Sequence, residues 1–152
     1  MVFKIPLEIS PIEDDGHHIY VKAKVNRKNA RMLVDTGASR TVFDLEQITR
    51  LINDLHLEEM DKLSTGLGTN TMTSQIAVIE KIRFGDLVLH DFEAVVIDMT
   101  HVNRSYKMLG MPLITGVIGG DILTQFGAVI DYRKKLLSLR GSSHKQNPRS
   151  NK

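Results

Sequence analysis

Apolar residues along this chain mostly alternate with polar ones, in short stretches separated by turn residues, which is the pattern of many short strands. Phe3, Ile5, Leu7 and Ile9 alternate, and Pro6, with no N–H to give, confines that stretch to a sheet edge. Asp14-Asp15-Gly16 predicts a turn. Ile19, Val21, Ala23 and Val25 alternate again, residues 26–29 are polar and turn-like, and a third strand follows over 31–34. The period then lengthens. Leu45, Ile48, Leu51, Ile52 and Leu55 recur at helical spacing, with Asp44 placed to cap free amides and Gln47 three residues on. A helix is therefore predicted over 44–55.

Residues 64–73 are rich in Gly, Thr and Asn and read as a hairpin tip between strands. Ile76, Val78 and Ile82 lead to a Gly85-Asp86 turn, Leu87 and Leu89 begin the next strand, and residues 92–97 form a strand that is apolar but for Glu93, expected to be covered on both faces. Residues 100–111 show no usable period and are predicted as a loop. Val117-Ile118 ends in Gly119-Gly120, after which Asp121 is placed to cap a short helix to about Phe126. Residues 128–132 and 136–139, with a basic turn between them, read as a closing hairpin. The expectation is one mostly β domain over 1–140, with one or two short helices. Residues 141–152 are low in apolar side chains and are expected to be a disordered tail.

Composition narrows the function classes. The chain has 152 residues, 41% hydrophobic and 25% charged, which is enough apolar material for one core. The net charge is +2, and Arg140, Lys145, Arg149 and Lys152 put much of that excess into the acid-free tail. Without the tail the body is near neutral or slightly acidic, so charge balance gives no case for nucleic acid. The absence of cysteine excludes a disulfide framework, a thiolate nucleophile and a thiolate metal site. The first residues lack a signal-like apolar core, and no run approaches membrane-spanning length. A soluble, cytoplasmic protein is expected.

Three segments carry candidate chemistry. In Leu33-Val34-Asp35-Thr36-Gly37-Ala38-Ser39 an ionisable residue follows an apolar strand and precedes Thr-Gly. A carboxylate that works on water must sit on a rigid element at the floor of a cleft. Gly37 lets the backbone turn tightly beside it, and the Thr36 hydroxyl can lock the loop to a neighbour. Gly116-Val117-Ile118-Gly119-Gly120-Asp121-Ile122-Leu123 is a short apolar strand ending in glycine, suited to pass close beside that loop. Thr65-Gly66-Leu67-Gly68-Thr69-Asn70-Thr71 has the mobility a lid over a cleft requires.

Together these segments resemble the retropepsin-like, single-domain aspartic proteases of retroviruses and many bacteria. The resemblance covers roughly residues 18–140 and rests on Asp35-Thr36-Gly37-Ala38, on Val117-Ile118-Gly119 with the following Asp121-Ile122-Leu123, and on their order. It implies a closed, mostly antiparallel β-barrel whose active site forms between two copies, each giving one Asp. Only one Asp-Thr-Gly occurs here, since Asp121 and Asp131 are not followed by Thr-Gly, so an active member would be a homodimer. It implies Asp35, Thr36 and Gly37 as the catalytic loop and no metal or cofactor. A peptide would be held by Ala38 and Ser39 and by the flap residues Gly66, Leu67, Gly68, Thr69 and Asn70. Two positions depart from the retroviral pattern. Ser39 stands where an acidic residue is usual and Gly120 where an arginine is usual, so the ion pair that supports the retroviral dimer is absent.

Other readings compete at each segment. Asp35-Thr36-Gly37 also suits an ordinary turn. Gly66-Leu67-Gly68 lacks the Lys-Ser/Thr of a phosphate loop. Residues 13–18 hold Glu13, Asp14, Asp15, His17 and His18, but adjacent strand histidines point to opposite faces and chelate poorly. Ser39 has no nucleophile elbow around it. Asn103-Arg104-Ser105 matches a glycosylation acceptor without a secretory context. At the level of the whole chain, the rival to a peptidase is a non-catalytic peptide-binding module on the same fold.

Overall fold

The computed structural model describes residues 1–60 and 74–141. In chain order the elements are β1 (Val2–Pro6), β2 (Glu8–Ile12), β3 (Gly16–Val25), β4 (Lys28–Val34), β5 (Val42–Asp44), α1 (Leu45–Leu51), β6 (Glu58–Glu59), β7 (Gln75–Phe84), β8 (Leu87–Ile97), α2 (Thr100–Met108), β9 (Gly116–Ile118), α3 (Gly120–Gln125), β10 (Val129–Asp131) and β11 (Leu136–Arg140). Six strands close into a barrel in the order β3-β4-β9-β5-β8-β7, and β7 returns to β3 through Lys24↔Arg83 and Val25↔Ile82. The closing contacts are short: β7 meets β3 at two positions and β8 meets β5 at three. β1, β11 and β10 form a separate three-stranded sheet.

The expected closed barrel is present, and it is antiparallel except at two pairings. β9 runs parallel to β4, and β5 runs parallel to β8. Both follow from β9 being inserted between β4 and β5, so that two strands near in sequence are separated in the sheet. The predicted edge role of the first stretch also holds, because β1 pairs with β11 alone. The alternating run does not continue as one strand, however. It breaks at Leu7, and β2 joins the other sheet.

Alternation along the barrel strands separates two apolar layers. Val21, Met32, Val34, Ile79 and Phe84 point into the barrel core. Tyr20, Leu33 and Val117 point outward, where they join Met99, Tyr106 and Ile114 in a second cluster under α2. The sequence marks Ile76, Val78 and Ile82 as apolar positions of β7; Ala77, Ile79 and Ile82 are buried, and Val78 is 54% exposed. Ile79 pairs with Phe92 and Lys81 with His90, while Asp91 adopts a φ of 52°. This local distortion shifts the inward parity so that Ile82 and Phe84 again face the core.

The region 100–111, predicted as a loop, is mostly helix, so three short helices are present among the described residues. Its pattern was illegible because only Asn103 and Tyr106 of α2 are buried, and one of them is polar. Side-chain hydrogen bonds hold the helix down. The Asn103 amide oxygen accepts from Ile114 N at 2.8 Å, and its Nδ2 donates to Ile114 O at 3.0 Å. Asn103 of the glycosylation-like triplet is thus a buried bridge. The Tyr20 hydroxyl donates to that of Tyr106 at 3.0 Å, and Tyr106 lies 3.0 Å from His18 Nδ1. Burial, and then the Tyr20 contact, push the Tyr106 phenol well above its ordinary range. At the start of α2, the Thr100 hydroxyl and then the Thr100 amide hold the exposed Asp98 carboxyl below the usual carboxylate range.

Helix α1 begins as predicted. Asp44 is its N-cap and accepts from Gln47 N at 3.0 Å, although the helix ends at Leu51 rather than near Leu55. The closing hairpin appears as β10 and β11. The flap residues Gly66 to Asn70, and the tail from residue 142, lie outside the described residues. No described helix is long and apolar enough to cross a membrane.

Candidate active site

β4 delivers Asp35. Met32 and Val34 are buried in the core, while Leu33 faces the outer cluster. The same alternation carries Asp35 to the outer face, where Asp35, Thr36 and Gly37 are exposed. The backbone there is nonetheless tightly fixed. Asp35 N donates to Ile118 O at 3.0 Å, so β9 fastens the carboxylate's own residue. Gly37 N donates to Asp35 Oδ1 at 2.9 Å, and Ala38 N donates to Asp35 O at 3.2 Å. A tight loop therefore wraps the carboxylate, with one of its oxygens already held by an amide. Among the described residues the Thr36 hydroxyl has no hydrogen-bond partner, which leaves it available to a neighbour.

The glycine-bounded strand packs against this loop as its sequence suggests. A Cβ on Gly119 would lie 2.5 Å from the Arg40 carbonyl carbon and 2.9 Å from Ala38 O, so only glycine fits there. Gly120 N donates to Ala38 O at 2.7 Å. Positions 39 and 120, where the resemblance places the retroviral ion pair, are neighbours in this chain, and the backbone bond beside them runs from Gly120 to Ala38. Ala38 is half-buried against the outer cluster, and Ser39 is exposed.

The sequence reading misassigned one residue here and missed another, Thr41. Asp121 does not cap α3; the N-cap is Gly119, and Asp121 lies in the first turn. Its carboxylate instead accepts from Thr41 N at 2.9 and 3.0 Å and from the Thr41 hydroxyl at 2.7 Å. The Thr41 hydroxyl in turn accepts from Gly119 N at 3.1 Å. Thr41 is only 1% exposed, so this chain of bonds clamps the far end of the Asp35 loop onto β9 and α3. No local signal marks the pair, because 80 residues separate its members. Asp121→Ala is expected to cost about 2–3 kcal/mol by leaving the buried Thr41 amide and hydroxyl without acceptors. A double-mutant cycle with Thr41→Val checks it. A coupling energy below about 0.5 kcal/mol would show that the two residues act independently.

A closed barrel in which a glycine-bounded strand threads beside an Asp-Thr-Gly loop defines a retropepsin-like aspartic protease domain. The chain belongs to the aspartyl protease family, whose sequence model matches residues 21–122. The fold is also found in a retropepsin-like aspartic protease from Rickettsia conorii, with 24% identity, a TM-score of 0.56, and 91% of each chain covered. The retroviral protease-like domain of Ddi1 from Leishmania major is 19% identical with a TM-score of 0.54, over 81% of this chain and 88% of that one. EIAV protease, in complex with the inhibitor HBY-793, is 17% identical with a TM-score of 0.51, over 80% of this chain and 99% of that one. No curated protein matches the sequence.

Proposed function

We propose that the chain is an aspartic endopeptidase whose active site is assembled from two copies, each contributing Asp35. The observation that carries this reading is a single Asp-Thr-Gly carboxylate, rigidly held yet exposed on the outer face of a closed barrel. Water attack on an amide needs a base to take its proton and an acid to protonate the carbonyl oxygen. One carboxylate cannot do both at once. Two carboxylates about 3 Å apart share a single proton, because both cannot ionise cheaply at that distance.

In the dimer the ionised Asp35 takes a proton from the bridging water while the protonated Asp35 donates to the scissile carbonyl oxygen. The water oxygen bonds to the carbonyl carbon. The C–N bond then breaks as a proton passes to the leaving amine. The Thr36 hydroxyl links one loop to the other, and Gly37 shapes the turn. The substrate lies extended beside Ala38 and Ser39, bound largely through main-chain hydrogen bonds. Nothing in this sequence of steps requires a metal or a cofactor.

The assembly is tested by dilution. Turnover per chain is expected to fall as protein concentration drops through the dimer dissociation constant, in step with the dimer fraction seen by analytical ultracentrifugation. A protein that sediments as a monomer at every concentration, and cuts peptides equally well at all of them, would rule out the shared site.

A further inference from the structure

Away from Asp35, α1 and α2 flank an open groove of 720 Å³. Its walls include Arg50, Arg104 and Lys107, and its apolar part is Met111, Pro112 and Leu113. The acids along it are already engaged. Asp44 is buried, with its two oxygens accepting from Met99 N and Gln47 N. Glu46 pairs with Arg50 at 2.7 Å. Arg104 and Lys107 lie one helical turn apart, and among the described residues neither has an ion-pair partner. Beside them the chain exposes large apolar side chains in close succession: Met108 is 81% exposed, Leu109 46% and Leu113 36%. Exposed methionine and leucine close in sequence to unpaired cations are not needed for folding and suit an interaction site.

We infer that the groove between α1 and α2 docks an acidic segment of a partner protein that carries a large apolar side chain. Carboxylates of that segment face Arg104 and Lys107, and the apolar side chain rests on Met111, Pro112 and Leu113. Charge complementarity selects this occupant. A second copy meeting the groove across a two-fold axis would set these cations against themselves. A bare anion would leave the apolar part uncovered.

Fluorescence anisotropy tests the site with the full-length Asp35→Asn chain, so that binding is read without cutting and stands or falls independently of the peptidase reading. The probe is a short labelled peptide with glutamates around a central Phe-Leu. One control carries lysines in place of the glutamates, and another carries serines in place of Phe-Leu. The acidic, apolar peptide is expected to bind at least about tenfold more tightly than either control. Arg104→Glu combined with Lys107→Glu is expected to weaken it by about tenfold or more. Both substitutions are at exposed positions, and an unchanged melting temperature verifies folding. The inference is overturned if the probe does not bind, if the lysine or serine control binds as well, or if charge reversal leaves the affinity unchanged. It is also overturned if the reversal instead dissociates a dimer in sedimentation, which would make this face a contact between copies.

Discussion

Asp35→Asn is expected to reduce peptide hydrolysis by about a thousandfold or more while leaving the melting temperature nearly unchanged. The two parts of this outcome come from the same geometry. Asp35 is exposed, so its charge is not part of the packed interior, and an asparagine oxygen can still accept from Gly37 N. The amide cannot take a proton from water, and it cannot exist in the protonated and ionised forms that a shared-proton pair alternates between. Because both copies carry the substitution, no intact pair remains in a homodimer. Mixing excess Asp35→Asn chain into wild-type protein should therefore also suppress activity, by drawing wild-type chains into mixed dimers. Peptide-cleavage rates beside thermal melts check this. Wild-type turnover by the folded variant would remove Asp35 from the chemistry.

The largest effect on stability is expected at Asp44. Its side chain is 1% exposed, and it accepts from Gln47 N at 3.0 Å and from Met99 N at 2.8 Å, while its own amide donates to Thr115 O at 2.8 Å. One carboxylate thus caps α1, anchors the chain as it leaves β8 for α2, and sits at the end of β5. Asp44→Ala removes two charge-assisted acceptors and leaves a buried Met99 amide unsatisfied, a loss of about 3–4 kcal/mol. For a chain of this size the melting temperature should fall by about 10 °C. Asp44→Asn keeps one good acceptor but turns an NH₂ toward a donor, and should fall about midway. Denaturant titration measures both. A loss under about 1 kcal/mol for Asp44→Ala would mean that α2 is held chiefly by Asn103 and Tyr106.

The sequence made legible those features whose cause is local. Apolar positions that alternate in 19–25 and crowd together in 92–97 announce strands, because each strand buries one or both faces. Asp44 announces a helix start because its partner is three residues away. The Asp-Thr-Gly loop and the glycine-bounded strand were legible as a pair because glycine is required where backbones nearly touch, as at Gly119. Features with a distant cause were not legible. α2 is held by a tyrosine pair reaching β3 and by an asparagine bonded to a chain segment 11 residues on, and neither produces a helical apolar stripe. Asp121 resembles a cap in sequence, but its carboxylate serves Thr41. The inward parity of β7 depends on a distortion shared with Asp91 of the neighbouring strand, which alternation within β7 alone does not reveal.

The placement of β9 between β4 and β5 has a consequence for the timing of synthesis. A nascent chain carries its acid long before the strand that fixes it, since Thr41 must wait for Asp121, 80 residues later. At about 5–20 residues per second that delay is several seconds on the ribosome. Throughout it the loop lacks its Ile118 anchor. Translation order alone thus leaves the Asp35 loop without its β9 clamp until most of the barrel has been made.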